Sequence, residues 1–248
     1  MKYIFANWKM YLDAEESISL ALALQTLHIT DHVECAVFPT LLSFREVKHI
    51  LDTSPVSIGV QNVNWVPKGA YTGEVSAALA CEAGAKYSLI GHSERRYLCN
   101  ESDTEIVKKV QACDDVGLVP VVCIGETKED LDAGKRSYRL KKQIDSVLAG
   151  RDNQQPLIFA YELVWAISSS TESSPCLPAD ADDVVGFIKQ EIKKYTDEFI
   201  PVLYGGSVNE VNASEYLSIP SGDGLLIGSA STHIDSFSKI LAQALDLE

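Results

Sequence analysis

VPVVCIGETKEDLDAGKRSYRLKKQIDSVLAGRDNQQPLIFAYE, residues 119–162, decides the fold class. VPVVCIG (119–125) and LIFAYE (157–162) are short apolar runs rich in β-branched or aromatic residues, and each predicts a buried strand. Between them, LKKQIDSVLAG (140–150) has the amphipathic spacing of a helix. Nearly continuous apolar strands that alternate with helices indicate a parallel sheet covered by helices.

The same unit recurs along the whole chain. The other predicted strands are YIFANW (3–8), CAVFP (35–39), SIGVQN (57–62), YSLIGH (87–92), PVLYGG (201–206) and GLLIG (224–228), and the other amphipathic stretches are 14–27, 102–117 and 182–195. Eight strands in 248 residues favour a closed (β/α)8 barrel of the α/β class, for which about 250 residues is typical, over an open sheet. No linker or low-complexity segment interrupts the chain, so we expect a single catalytic domain over residues 1–248.

Composition narrows the classes of function. A formal net charge of −14 argues against nucleic acid and anionic membranes as partners. No apolar run reaches the length of a membrane span, and the first residues lack the apolar core of a signal peptide. The six cysteines form no C-x-x-C pair, which argues against a disulfide framework and a zinc site. We therefore expect a soluble, cytoplasmic protein without a bound metal.

Polar residues gather where the predicted strands end. They are Asn7 and Lys9, Gln61 and Asn62, His92 to Arg96, Glu126 and Glu162, followed by two glycine-bearing turns. The carboxyl ends of barrel strands meet on one face, where the active sites of this fold lie. The pattern predicts one site built from these strand ends.

Three side chains carry chemistry, each with a simpler alternative. Strand alternation places Asn7 and Lys9 on the same face, so Lys9 is either a fixed charge for an oxyanion or phosphate, or a surface lysine. His92 precedes Ser93, a predicted helix cap, and the positive end of that helical turn favours a neutral imidazole able to donate to an enolate oxygen. The alternative for His92 is a purely structural hydrogen bond.

Glu162 ends an otherwise apolar strand and precedes the apolar segment LVWAI (163–167). Loss of solvent raises the pKa of a carboxyl group and makes it a stronger base, whereas a salt-bridged glutamate is the alternative. YGGSV (204–208) and LIGSA (226–230) end the last two strands, where turns leading into short helices commonly hold phosphate in this fold, although glycines also make ordinary turns. Such backbone donors explain how an acidic protein binds an anionic substrate.

Together these segments resemble the triosephosphate isomerase family. FANWKM, VQNVN, GAYTGEVSA, IGHSERR, CIGET, AYE-VWAI and YGGSV occur in the order and approximate spacing of that family, from end to end of the chain. The resemblance implies a TIM barrel that acts as an aldose-ketose isomerase, an intramolecular oxidoreductase of glycolysis and gluconeogenesis. It implies interconversion of D-glyceraldehyde 3-phosphate and dihydroxyacetone phosphate through an enediolate, without cofactor or metal.

The resemblance also implies a role for each matching residue. Glu162 is the base, His92 the neutral electrophile, Lys9 a stabiliser of negative charge, Asn7 a positioning residue and Glu94 the partner of Lys9. The phosphate is held by the backbone N–H groups of Ser168, Ser207, Gly228 and Ser229. The lid loop comprises Leu163, Val164, Trp165, Ala166, Ile167, Ser168, Ser169 and Ser170. The loop 65–74 inserts into a second subunit, with Thr72 reaching the neighbouring site, which implies a homodimer.

Three departures from the family pattern concern the lid and the phosphate turn. Leu163 stands where the family usually has proline, Ser168 to Thr171 stand where it usually has Gly-Thr-Gly-Lys, and Ser229 replaces a glycine. Proline stiffens a hinge and glycine tolerates positive φ, so these changes predict slower lid closure and altered phosphate affinity. We expect a working isomerase with reduced turnover. The alternatives are an isomerase of another small sugar phosphate and a catalytically impaired barrel that binds phosphate or a partner.

Overall fold

The chain forms a closed parallel barrel. A computed structural model describes residues 1–151, 155–164 and 176–247. In these residues, eight strands lie in the order β1-β2-β3-β4-β5-β6-β7-β8, and β8 pairs with β1. The strands are β1 (Lys2–Asn7), β2 (Val33–Phe38), β3 (Ser57–Val60), β4 (Tyr87–Ile90), β5 (Val119–Ile124), β6 (Ile158–Tyr161), β7 (Val202–Tyr204) and β8 (Gly224–Ile227). The predicted (β/α)8 barrel is confirmed, with each strand ending one or two residues earlier than predicted.

Helices cover the outside of the barrel. They are α1 (Ala14–Gln25), α2 (Phe44–Leu51), α3 (Ala77–Glu82), α4 (Ser93–Leu98), α5 (Asp103–Asp114), α6 (Lys128–Asp132), α7 (Arg136–Leu148), α8 (Pro178–Ile192), α9 (Ala213–Leu217) and α10 (Ile234–Leu245), with a 3₁₀ helix at Ser229–Thr232. The four amphipathic stretches predicted from periodicity correspond to α1, α5, α7 and α8. Capping boxes at Asp13 and Ser102 fix the starts of α1 and α5 by pairing otherwise free N–H groups.

The barrel interior and the layer between strands and helices are separate cores. The inner core contains Phe5, Ala36, Phe38, Tyr87, Leu89, Val121, Cys123, Ile158, Ala160, Leu203 and Leu226, while neighbouring residues such as Ile4 and Ala6 pack outward against helices. Because side chains alternate along a strand, the inward series Phe5 to Asn7 and Ile158 to Glu162 continues above this core. The inner core therefore forms the floor of the cavity in which the polar residues meet.

The length and polarity of a helix determine whether it can span a membrane. Within the described ranges, no helix is both long and apolar enough to cross a bilayer.

Candidate active site

Seven of the residues singled out in the sequence line one pocket at the carboxyl ends of the strands. Its lining comprises Asn7, Lys9, His92, Glu162, Gly205, Gly206, Ser207, Val208, Leu226, Gly228 and Ser229. Asn7, His92 and Glu162 are each less than 7% exposed. The polar groups thus come from β1, β4, β6, β7 and β8 and converge on one buried point, as the strand-end pattern predicts.

The carboxylate of Glu162 lies between two donors. Its Oε1 lies 2.9 Å from His92 Nε2, and its Oε2 accepts a 2.9 Å hydrogen bond from the backbone N–H of Ser93. Burial acts to raise the pKa of Glu162, but it is outweighed, first by the charge interaction and hydrogen bond with His92 and then by the Ser93 N–H and the Lys9 charge, so that pKa is lowered. The expectation of a raised pKa was wrong for this arrangement, because it counted lost solvent and omitted the donors that replace it.

The hydrogen bonds of His92 define its tautomer. Nδ1 accepts a 3.2 Å hydrogen bond from the backbone N–H of Glu94, so that nitrogen carries no proton. Nε2 then holds the ring proton and points it at Glu162. This geometry fits a neutral imidazole, the state expected for an electrophile that donates to a substrate oxygen.

The end of β4 explains how His92 reaches the pocket. Gly91 has φ +67°, a conformation that side chains rarely adopt, and it turns the chain out of strand alternation. His92, rather than Ser93 as predicted, is the cap residue of α4. Arg96 secures this turn by donating to the backbone oxygens of Gly91 (2.7 Å) and Cys123 (3.1 Å), which ties β4 to β5.

Lys9 is held in a strained backbone conformation. Its φ is +50°, a left-handed value that costs a non-glycine residue of order 1–3 kcal/mol. Asn7 Oδ1 accepts from the Lys9 N–H at 3.1 Å, and Gln61 Nε2 donates to the Lys9 carbonyl at 2.7 Å and to the Phe38 carbonyl at 2.9 Å. Gln61 stands out in the sequence as a polar strand-end residue, but its role as a backbone clamp is visible only in three dimensions.

The Lys9 ammonium bridges two parts of the site. Nζ forms a 2.7 Å ion pair with Glu94 Oε1, which confirms that these two residues meet. A Cβ built on Gly228 would lie 3.8 Å from the same Nζ. The ammonium therefore stands beside the turn after β8, where it adds positive charge to a cluster of backbone donors.

The two glycine turns differ from the expected pattern in one respect. The 3₁₀ helix Ser229–Thr232 starts directly after Gly228, as predicted for a turn that leads into a helix. After β7, by contrast, the next helix starts only at Ala213, so Ser207 lies in an extended turn. Ser229, which replaces a glycine of the family pattern, is exposed and lines the pocket.

Part of the predicted lid can be placed. Leu163 is fully buried in the outer core, and Val164 is partly buried. The predictions for Trp165, Ala166, Ile167, Ser168, Ser169 and Ser170 lie outside the described residues.

Thr72 is exposed and does not line the pocket of its own chain. Among residues 1–151, 155–164 and 176–247, no three histidine, cysteine or carboxylate side chains cluster as metal ligands would.

A second cavity of about 460 Å³ adjoins the pocket and shares Asn7, Lys9 and His92 with it. Apolar side chains at its rim are unusually exposed: Met10 is 92% exposed, Leu98 77% and Leu41 50%. These three side chains place exposed apolar surface at the mouth of the cavity.

Comparisons with known proteins cover nearly the whole chain. A family model described as triosephosphate isomerase matches residues 2–244. The triosephosphate isomerase of Erwinia tasmaniensis is 39% identical over 247 residues, covering 97% of this chain and 96% of that protein. Those of Rubrobacter xylanophilus (36%, covering 96% and 95%) and Aquifex aeolicus (36%, covering 97% and 98%) are similarly related. The similarity therefore includes every strand that contributes to the pocket.

Proposed function

Because the chain belongs to the triosephosphate isomerase family, we propose that it interconverts D-glyceraldehyde 3-phosphate and dihydroxyacetone phosphate, an aldose-ketose isomerisation of glycolysis. One observation carries the proposal. The Glu162 carboxylate and the His92 imidazole lie 2.9 Å apart in a pocket that also contains the Lys9 ammonium and two glycine turns. A base, a hydrogen-bond donor, a fixed charge and a phosphate cradle are the groups that proton transfer between adjacent carbons of a triose phosphate requires.

Glu162 is the base in this reaction. It takes a proton from the carbon next to the carbonyl group and returns it to the neighbouring carbon, with an enediolate between the two steps. In the same reaction His92 gives its Nε2 proton to the carbonyl oxygen and takes the proton of the neighbouring hydroxyl group, so that the carbonyl group moves by one carbon and His92 is regenerated. His92 Nε2–H donates to the oxygen on which negative charge develops. Because that N–H points at Glu162 in the present arrangement, the carboxylate leaves His92 and Ser93 when substrate binds. Without those two donors the effect of burial dominates, so its pKa rises and the carboxylate becomes a stronger base.

Lys9 supplies positive charge to the enediolate and the phosphate. Asn7 and Gln61 hold its backbone from either side, and Glu94 holds its ammonium group. Fixed charge needs no reorganisation when the reaction proceeds, which makes it effective in a water-poor pocket. The short contacts around Lys9 therefore support a preorganised electrostatic role for this residue.

The phosphate lies against the turns after β7 and β8. Ser207, Gly228 and Ser229 line that end of the pocket, and backbone N–H groups there attract an anion despite the net charge of −14. Ser168 and the lid segment 165–170 complete the phosphate site in this proposal, as the family resemblance implies. We expect Leu163 and the serines of this lid to slow closure relative to a proline- and glycine-containing lid.

A homodimer is the proposed assembly. A hydrogen bond joins the two ends of the loop 65–74, since the Asn64 N–H donates to the Val75 carbonyl at 2.8 Å. Residues 67–74 of this loop are exposed. The exposed loop of one chain would then occupy the cavity of about 460 Å³, with its exposed apolar rim, on the other chain. In a pair of chains, Thr72 of each reaches the other's site. Met10→Lys should yield monomers in light scattering, and an unchanged mass would contradict this assembly.

The domain organisation and the compartment are also proposals. The eight strands and the pocket draw on residues from Lys2 to Ser229, which supports one catalytic domain over residues 1–248. A cytoplasmic location is supported by the six free cysteines, since thiols persist in a reducing compartment. Burial raises the pKa of Cys35 to about 12, so its thiol stays protonated.

Steady-state kinetics with both trioses test the proposed function. The chain should convert each substrate into the other, and Glu162→Gln should lower kcat by at least about 10³-fold, because the amide cannot accept the proton. Glu46→Gln, on the exposed face of α2, is the matched control and should match the wild type. Activity confined to another sugar phosphate, or equal inactivity of all three proteins, would contradict the proposal.

A further inference from the structure

A buried glutamine outside the pocket grips the backbone beside Glu162. Gln143 lies on α7 and is 2% exposed. Its Oε1 accepts a 2.9 Å hydrogen bond from the Gly125 N–H, and its Nε2 donates to the Gly125 carbonyl at 3.3 Å. Both polar atoms of this side chain are thus used on a single residue. Gly125 lies one residue beyond the end of β5, so the Gln143 side-chain amide, rather than a neighbouring strand, pairs with its N–H and carbonyl groups.

Gly125 in turn is packed directly against Glu162. A Cβ built on Gly125 would lie 1.8 Å from the Glu162 carbonyl oxygen and 2.9 Å from its carbonyl carbon. The Glu162 N–H donates to the Ile124 carbonyl at 2.8 Å. The backbone of Glu162 is therefore fixed at its N–H by β5 and at its carbonyl by close contact with Gly125, so any shift of Gly125 moves the residue that carries the carboxylate.

We propose that Gln143 is a positioning residue for Glu162, acting through the backbone of Gly125. The inference rests on the proposed function, since it assigns a role in the geometry of that reaction. Gln143 is absent from the pocket lining, and its effect passes through two contacts: its amide on Gly125, and Gly125 on Glu162. A displacement of about 1 Å at a reacting group costs on the order of 10²-fold in rate.

Gln143→Met tests the role of the amide, since methionine fills similar volume without donor or acceptor. We expect kcat to fall by about 10- to 100-fold. The inhibition constant of inorganic phosphate should stay at the wild-type value, because the phosphate end is built by the turns after β7 and β8. Gln25→Met is the control: Gln25 on α1 also donates to a backbone carbonyl, that of Ile50, at 2.7 Å, but it is exposed and lines neither cavity. It should leave both constants unchanged.

Gln143→Glu gives a readout that a purely structural role would not produce. A protonated carboxyl group offers one donor and one acceptor, as the amide does, whereas the ionised form cannot donate and repels the Gly125 carbonyl. The kcat of Gln143→Glu relative to wild type should therefore rise as the pH falls from about 8 to about 6, since burial brings the substituted carboxyl into that range. For Gln143→Met the ratio to wild type should not vary with pH.

The outcomes separate this inference from the proposed function. An inactive wild type overturns both. An active wild type with full kcat in Gln143→Met overturns the inference alone, as does a loss of phosphate affinity equal to the loss of kcat. If Gln143→Met does not fold, Gln143→Glu decides: a ratio to wild type that is independent of pH overturns the role of the amide.

Discussion

Gln61→Met perturbs the backbone of Lys9 without removing its charge. Gln61 Nε2 donates to two carbonyls, those of Lys9 (2.7 Å) and Phe38 (2.9 Å), and methionine can donate to neither. Two such hydrogen bonds contribute about 1 kcal/mol each to stability. The left-handed φ of +50° at Lys9 stores of order 1–3 kcal/mol, which the freed residue releases by returning to negative φ. The two effects oppose each other in the folded state.

We therefore expect a small loss of stability with a large loss of activity. The unfolding free energy in urea should fall by no more than about 2 kcal/mol, because relief of strain offsets part of the lost hydrogen bonding. The value of kcat/KM should fall by about 10- to 100-fold as the ammonium moves away from the Gly228 turn, equivalent to about 1.4–2.7 kcal/mol of transition-state stabilisation. Urea titration measures the unfolding free energy and steady-state kinetics measures kcat/KM, both on the same preparations.

Gln25→Met is a matched control, since its Nε2 also makes two hydrogen bonds, to the Ile50 carbonyl and to Thr53 Oγ1. It should lose stability while keeping kcat/KM. Equal kcat/KM in Gln61→Met and Gln25→Met would refute the claim that Gln61 maintains the conformation of Lys9.

Further predictions concern a buried ion pair, the core beside the lid, and pH. Lys109→Met should lower the unfolding free energy by about 1.5–3 kcal/mol, because Lys109 and Glu101 form a 2.7 Å pair in which both side chains are 4% exposed, while Arg95 still pairs with Glu101 at 2.6 Å. Lys128→Met, which breaks a surface pair with Asp132, should cost at most about 0.5 kcal/mol, and similar costs of the two substitutions in urea titrations would contradict this. Leu163→Ala should cost about 2–5 kcal/mol, because that side chain is fully buried, and a loss below about 1 kcal/mol would show that it does not pack in the core. Because the pKa of Glu162 in the free protein is lowered from 4.5, an NMR titration of that carboxyl group in the protein without substrate should have its midpoint below pH 4.5, and a midpoint near neutrality would contradict the observed contacts.

The sequence predicts the barrel well because strand burial is a local signal. Runs such as VPVVCIG and LIFAYE are apolar throughout since both faces of a barrel strand are buried, and each corresponds to an observed strand. Short helices such as α3 and α4, with six residues each, are too brief for periodicity to reveal. From the sequence alone, strand alternation places Asn7 and Lys9 on the same face, and the position of Glu162 at the end of an apolar strand places it among the strand-end residues.

Contacts between distant parts of the chain are where sequence reasoning fails. The lowered pKa of Glu162 depends on His92 and, to a smaller extent, on the backbone N–H of Ser93, 69 residues away, and no spacing rule identifies either contact. Gln61 and Gln143 act through backbone carbonyl and N–H groups, and those groups are present at every position. A side chain that recognises the backbone leaves no pattern of residue types, so its role emerges only from the fold.

Hydrogen exchange with solvent tests the central claim most directly. Dihydroxyacetone phosphate turned over in deuterium oxide should yield glyceraldehyde 3-phosphate with deuterium at C2, detected by NMR, since a carboxylic acid exchanges its proton with solvent. The rate of incorporation should fall in parallel with kcat in Glu162→Gln and stay at the wild-type value in Glu46→Gln. Deuterium incorporation in Glu162→Gln at the wild-type rate would show that another group carries the proton.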